Sequence, residues 1–121
     1  MEKLTQQEEE SMLILWQLGK GFVKDILEQY AEPRPPYTTL ASTIKNLERK
    51  GYAESRRYGN TFEYKPVVSE SEYKKQFMSG VVKDYFRNSY SEMVAFFARE
   101  QRISSEELKE IVRIIENSDT K

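Results

Sequence analysis

The feature that most restricts what this chain can become is a change of hydrophobic period at Gly51. Before it, in "TTLASTIKNLERKG" (residues 38–51), Leu40, Ile44 and Leu47 recur at the four-then-three spacing of one helix face. After it, in "YAESRRYGNTFEYKP", the pattern alternates: Phe62 and Tyr64 share a side, and Gly59-Asn60 can supply the positive φ of a tight turn. Prolines bound both segments, "AEPRPPY" ahead and Pro66 behind, because proline lacks an amide and crowds the preceding turn. The reading is a helix over 38–50, capped by a left-handed Gly51, followed at once by a hairpin over 52–65.

Upstream, Thr5 and Glu8 have the spacing of a capping box, and Met12, Leu13, Leu15, Trp16 and Leu18 give the helix behind it an apolar side. "LGKG" ends that helix, and Phe22, Val23, Ile26, Leu27 and Tyr30 predict a short second one. Trp16, Leu40, Ile44, Leu47 and Phe62 are assigned to the core, since spacing accounts for them without a ligand. Downstream, "SESEYKKQFMSGVVKDYFRNSY" carries the stripe Tyr73, Phe77, Val81 and Tyr85. "SEMVAFFAREQ" adds Met93, Phe96 and Phe97, and a capped last helix carries Leu108, Ile111, Val112 and Ile115.

The fold class expected is mainly α with a small β-hairpin. It comprises a winged helix-turn-helix domain over 1–66 and a helical region over 67–121. In that arrangement the third helix enters the major groove and the hairpin reaches the flanking backbone. Charge supports it: from Pro33 to Lys65 there are seven bases against three acids, a net of +4, in a chain whose net charge is −1. Thr38 and Thr39 lie where hydroxyls and free amides can hold phosphate. Ser42, Thr43 and Asn46 are short enough for close approach, and Lys45 and Arg49 can meet phosphate or guanine. Arg56, Arg57, Asn60 and Thr61 on the hairpin are expected to grip backbone. The competing reading of the helix alone is a solvated surface, and of the whole domain a protein-interaction module that binds no DNA.

Other functions fare worse. With no Cys and no His, thiolate chemistry, imidazole acid–base work and Cys/His zinc sites are excluded, and no cofactor is expected. Glu8/Glu9/Glu10 and Glu106/Glu107/Glu110 read as helix N-terminal charges rather than catalytic pairs. No run long enough to span a membrane exists, and "MEKLTQQEEES" lacks a signal's basic start, so a cytoplasmic protein is expected. The segment 67–121 is nearly neutral, with 9 bases and 10 acids, and too small to stand alone. Laid against a second copy, its apolar groups would form an interface.

The run "YTTLASTIKNLERKGYAESRRYGNTFEYKP", with "EEESMLILWQLGKG" before it and "SEMVAFFAREQRISSEEL" after, resembles the penicillinase-repressor family of winged-helix proteins. The resemblance implies a homodimeric repressor on a palindromic operator, with the C-terminal helices as dimerisation module. It further implies a membrane metalloprotease sensor and release by a cut that maps onto Phe96-Phe97. The chain departs from the pattern there, with Phe96 where members with a known cut carry Asn. It also lacks the Cys-x-Cys pair of copper-responsive relatives, and its loop "YAEPRPPYTT" is longer and richer in proline.

Overall fold

Thr5 opens the first helix by reciprocal capping. Its hydroxyl accepts the Glu8 amide at 3.1 Å, and its own amide donates to the Glu8 carboxylate at 2.9 Å. The helix, α1 (Gln6–Leu18), ends at Gly19, whose φ of +81° suits a residue without Cβ. The computed structural model describes residues 2–119.

Beyond Gly19 the structure differs from the helical spacing read for 22–30. Gly21–Phe22 form a short strand, β1, and the second helix, α2 (Val23–Glu28), has only six residues. The Phe22 amide donates to Asp25 Oδ2 at 2.9 Å, which starts the helix one residue later and leaves Phe22 extended for strand pairing. The third helix, α3 (Tyr37–Arg49), has Pro36 at its N-cap. Gly51, at φ +86°, then reverses the chain as the sequence requires.

Two strands follow, β2 (Ala53–Tyr58) and β3 (Thr61–Pro66), joined through Gly59 at φ +59°. The sheet is antiparallel in the order β1-β3-β2. Gly21 lies opposite Tyr64, and on the other side Ser55 faces Tyr64 and Arg57 faces Phe62. The expected seam holds: Leu40, Ile44 and Leu47 are buried with Met12, Leu15, Ile26 and Tyr64. Phe62, assigned to the core from its alternation with Tyr64, is instead 40 % exposed where Tyr64 is 3 %. Alternation selects the side of a strand, but Phe62 sits next to the turn, beyond the last residue that β1 pairs. Trp16 packs against the core's edge and donates its indole N–H to the Val68 carbonyl at 2.9 Å.

The described chain forms two compact units, one up to Lys74 and one from Lys75 on. The helices after the hairpin are α4 (Glu70–Tyr85), α5 (Tyr90–Arg99) and α6 (Ser105–Asp119). In the second unit Val82 is buried, and Phe86 and Phe96 meet edge-on at 5.7 Å. Most of the remaining large apolar side chains there are exposed.

Candidate nucleic-acid interface

The candidate surface begins with α3, because the Leu40/Ile44/Leu47 seam dictates what points away. Thr38, Thr39, Ser42, Lys45, Asn46 and Arg49 are all exposed, as the helical spacing predicts. Thr43 is a correction. It is buried, and its hydroxyl donates to the Thr39 carbonyl at 3.0 Å, so it closes the flank of the seam rather than standing on the outer row. At the N-terminus of the helix no side chain caps the first turn, since Pro36 offers none. The amides that begin α3 are therefore not claimed by a capping side chain, and Thr38 and Thr39 stand exposed beside them. Tyr37 is also exposed in this turn.

The far end of α3 brings a second correction. Lys50 counted among the bases of the Pro33–Lys65 excess, yet its ammonium lies 2.6 Å from Glu8 Oε1 with the two side chains only 9 % and 5 % exposed. It also donates to the Lys3 carbonyl at 2.9 Å. Burial opposes ionisation of Glu8, but the Lys50 hydrogen bond, the Thr5 amide and the Lys50 charge outweigh it and hold the carboxyl below its ordinary range. Lys50 thus ties α3 to α1 and is spent inside the protein. Tyr52, two residues on, is buried and donates its hydroxyl to the Glu2 carbonyl at 2.6 Å. Burial dominates in pushing that phenol up. Arg49 remains outside, with Glu2 Oε1 3.8 Å away.

On the hairpin, strand register separates two arginines that are adjacent in sequence. Residues directly opposite share a sheet face, so Arg57 and Phe62 lie on the side of Ser55 and Tyr64. That side is joined to α3, because the Ser55 hydroxyl donates to Glu48 Oε2 at 2.5 Å. Arg57 is exposed there, its guanidinium donating to the Gly59 carbonyl at 2.8 Å. Asn60 and Thr61 complete an exposed tip. Arg56 falls on the opposite face, over the Tyr58 ring at 5.4 Å. It lines a mixed-charge hollow of about 500 Å³ with Lys20, Glu54, Glu63 and Lys65. Register therefore puts Arg57 on the α3 side, with Asn60 in the adjoining turn, and leaves Arg56, together with Thr61 opposite Tyr58, on the other face of the hairpin.

Among the residues expected to pair with a second copy, Phe77, Tyr85, Phe96, Phe97, Leu108, Ile111, Val112 and Ile115 are exposed, and Val81 and Met93 are half-buried. Tyr73 is a further correction. Its ring packs on Trp16 at 5.4 Å and Tyr52 at 6.0 Å, and its hydroxyl donates to the Glu9 carboxylate. It is committed to the first unit, a contact with residues far upstream that helical spacing could not show. Burial first, and then the Glu9 contact, push its hydroxyl far up.

A short three-helix unit whose third helix shows a polar outer side, followed by a two-stranded wing, defines a winged helix-turn-helix protein with an added helical region. Residues 4–117 match the penicillinase repressor family, and the chain belongs to it. It is similar to the methicillin resistance regulatory protein MecI of Mammaliicoccus sciuri, 22 % identical over 93 % of both chains. To the protein of that name from Staphylococcus aureus it is 21 % identical, again over 93 % of both. To the penicillinase repressor of Bacillus licheniformis it is 21 % identical, over 94 % of this chain and 90 % of the relative. These are regulators rather than enzymes. No helix among the described residues is long and apolar enough to cross a membrane.

Proposed function

We propose that this repressor-family protein acts as a homodimer on a palindromic DNA operator, with α3 in the major groove and the β2–β3 hairpin on the flanking backbone. Residues 1–66 are the reading domain and 67–121 the pairing region. The observation that carries the reading is the exposed row Thr38, Ser42, Lys45, Asn46 and Arg49 on the side of α3 opposite its buried seam. Asn46 can bond adenine bidentately, Arg49 can take guanine or phosphate, and the small hydroxyls permit close approach. Thr38 and Thr39 hold phosphate at the helix N-terminus, while Arg57 and Asn60 hold the flanking strand.

Dimerisation supplies the second half-site, about one helical turn of DNA away. The exposed Leu108, Ile111, Val112 and Ile115 on α6, with Phe96 and Phe97 on α5, support pairing, since full burial of such a side chain is worth about 1.5–3 kcal/mol and each has roughly half of its surface left to cover. Release by a membrane metalloprotease sensor at Phe96-Phe97 belongs to the same proposal. That bond lies inside α5, so a protease would have to unwind the helix to reach it.

The test is binding of purified protein to the promoter fragment of its own gene by gel retardation over a salt series. Specific retardation that weakens steeply with salt is expected. Asn46→Ala with Arg49→Ala should remove specific binding at unchanged melting temperature. Absence of any sequence-specific complex at low and moderate salt would refute the reading and favour a protein-interaction module.

A further inference from the structure

The residues just ahead of α1 form a strap across the C-terminal end of α3, and its position on the candidate DNA surface has a functional consequence. Two contacts pin its backbone. The buried Tyr52 donates its hydroxyl to the Glu2 carbonyl at 2.6 Å, and Lys50, itself held by Glu8, donates to the Lys3 carbonyl at 2.9 Å. With carbonyls 2 and 3 fixed, the Glu2 side chain cannot diffuse away from the helix end. Its carboxylate stands 3.8 Å from Arg49 Nη1, both side chains 62 % exposed. Arg49 is the last residue of α3 and lies on the row offered to DNA.

We infer that Glu2 is an intramolecular competitor for Arg49, a carboxylate held where a DNA phosphate or base edge must displace it, and that it lowers the affinity of this protein for DNA in general. The inference rests on the DNA-binding reading. Its physical basis is tethering: a free carboxylate in solution would compete weakly, but one whose backbone is anchored by two hydrogen bonds is present at high local concentration. Because the pair is exposed, it is weak and screened by salt, so displacement by a polyanion is easy. Glu2 thereby sets a threshold that only a duplex engaging the rest of α3 readily exceeds.

The experiment is a double-mutant cycle read by fluorescence anisotropy on a labelled 20-base-pair duplex of random sequence, at low and at moderate salt. The full chain is used as wild type, Glu2→Gln, Arg49→Ala and both together. Glu2→Gln should tighten binding about 1.5- to 5-fold at low salt, the range of an exposed ion pair. The gain should shrink as salt rises and vanish in the Arg49→Ala background. Melting temperatures of wild type and Glu2→Gln should agree, because the anchors are main-chain carbonyls that the change leaves in place. An equal gain with and without Arg49 would show a long-range charge effect and overturn the inference, as would no gain at all. If wild type binds no duplex at low salt, the DNA-binding reading fails with it, whereas a wild type that binds with no effect of Glu2→Gln sinks the strap alone.

Discussion

Replacing Lys50 by methionine separates the two roles a base near the end of α3 could have. Methionine keeps most of the stem's volume but removes the ammonium, leaving Glu8, 5 % exposed at its side chain, without its cationic partner. Removing one member of a buried pair costs about 3–5 kcal/mol, because the remaining charge is left uncompensated. Glu8 would keep the Thr5 amide at 2.9 Å, which places the expected loss near the lower end, about 3 kcal/mol. For a unit of this size, roughly 4–8 °C of melting temperature accompany each kcal/mol, so a drop of about 12–24 °C is expected. Thermal melts by circular dichroism and urea midpoints measure it. Adding Glu8→Gln should recover part of the loss, since the double variant buries no lone charge. If Lys50→Met unfolds at nearly the wild-type temperature, the pair is not the tie it is held to be. If the salt dependence of DNA binding also falls by about one counterion's worth, Lys50 belongs on the phosphate surface after all.

Glu8 has a carboxyl lowered from its ordinary 4.5, so its stabilising contribution is present above that pH and is lost as pH falls through the lowered value. The gap in urea midpoint between wild type and Glu8→Gln should therefore be widest at neutral pH and close on acidification below 4.5. Ile111→Asp with Ile115→Asp on α6 should shift sedimentation equilibrium from dimer to monomer and leave the melting of the first unit unchanged; a persistent dimer would remove α6 from the interface. Tyr73→Phe should lower stability by about 1–3 kcal/mol, because it strips a hydrogen bond from the Glu9 carboxylate while preserving the ring contacts. A change below a few tenths would mean that the ring alone holds this corner.

The pieces of the site legible in the sequence are those set by local rules. Six of the seven residues read onto the outer side of α3 are exposed, because a 3.6-residue period with Leu40, Ile44 and Leu47 inside fixes what lies outside. Thr43 departs from that pattern because it borders the seam, where a small difference in packing decides burial, and its hydroxyl has the Thr39 carbonyl to turn to. Arg56 and Arg57 read as one pair in sequence, but pleating sends neighbours to opposite faces, and register then decides which side belongs to the groove.

What the amino-acid order determined by itself was short-range. The Thr5–Glu8 capping box, the breaks at Gly19 and Gly51, and the turn at Gly59 follow from backbone sterics and hydrogen bonds spanning a few residues. The tertiary structure alone decided that Phe22 joins the sheet, that Lys50 faces Glu8 across 42 positions, and that Tyr73 reaches Glu9 across 64. Each of those outcomes depends on which distant group arrives at a given point, and burial then makes an unpaired charge or hydroxyl costly enough to enforce the match.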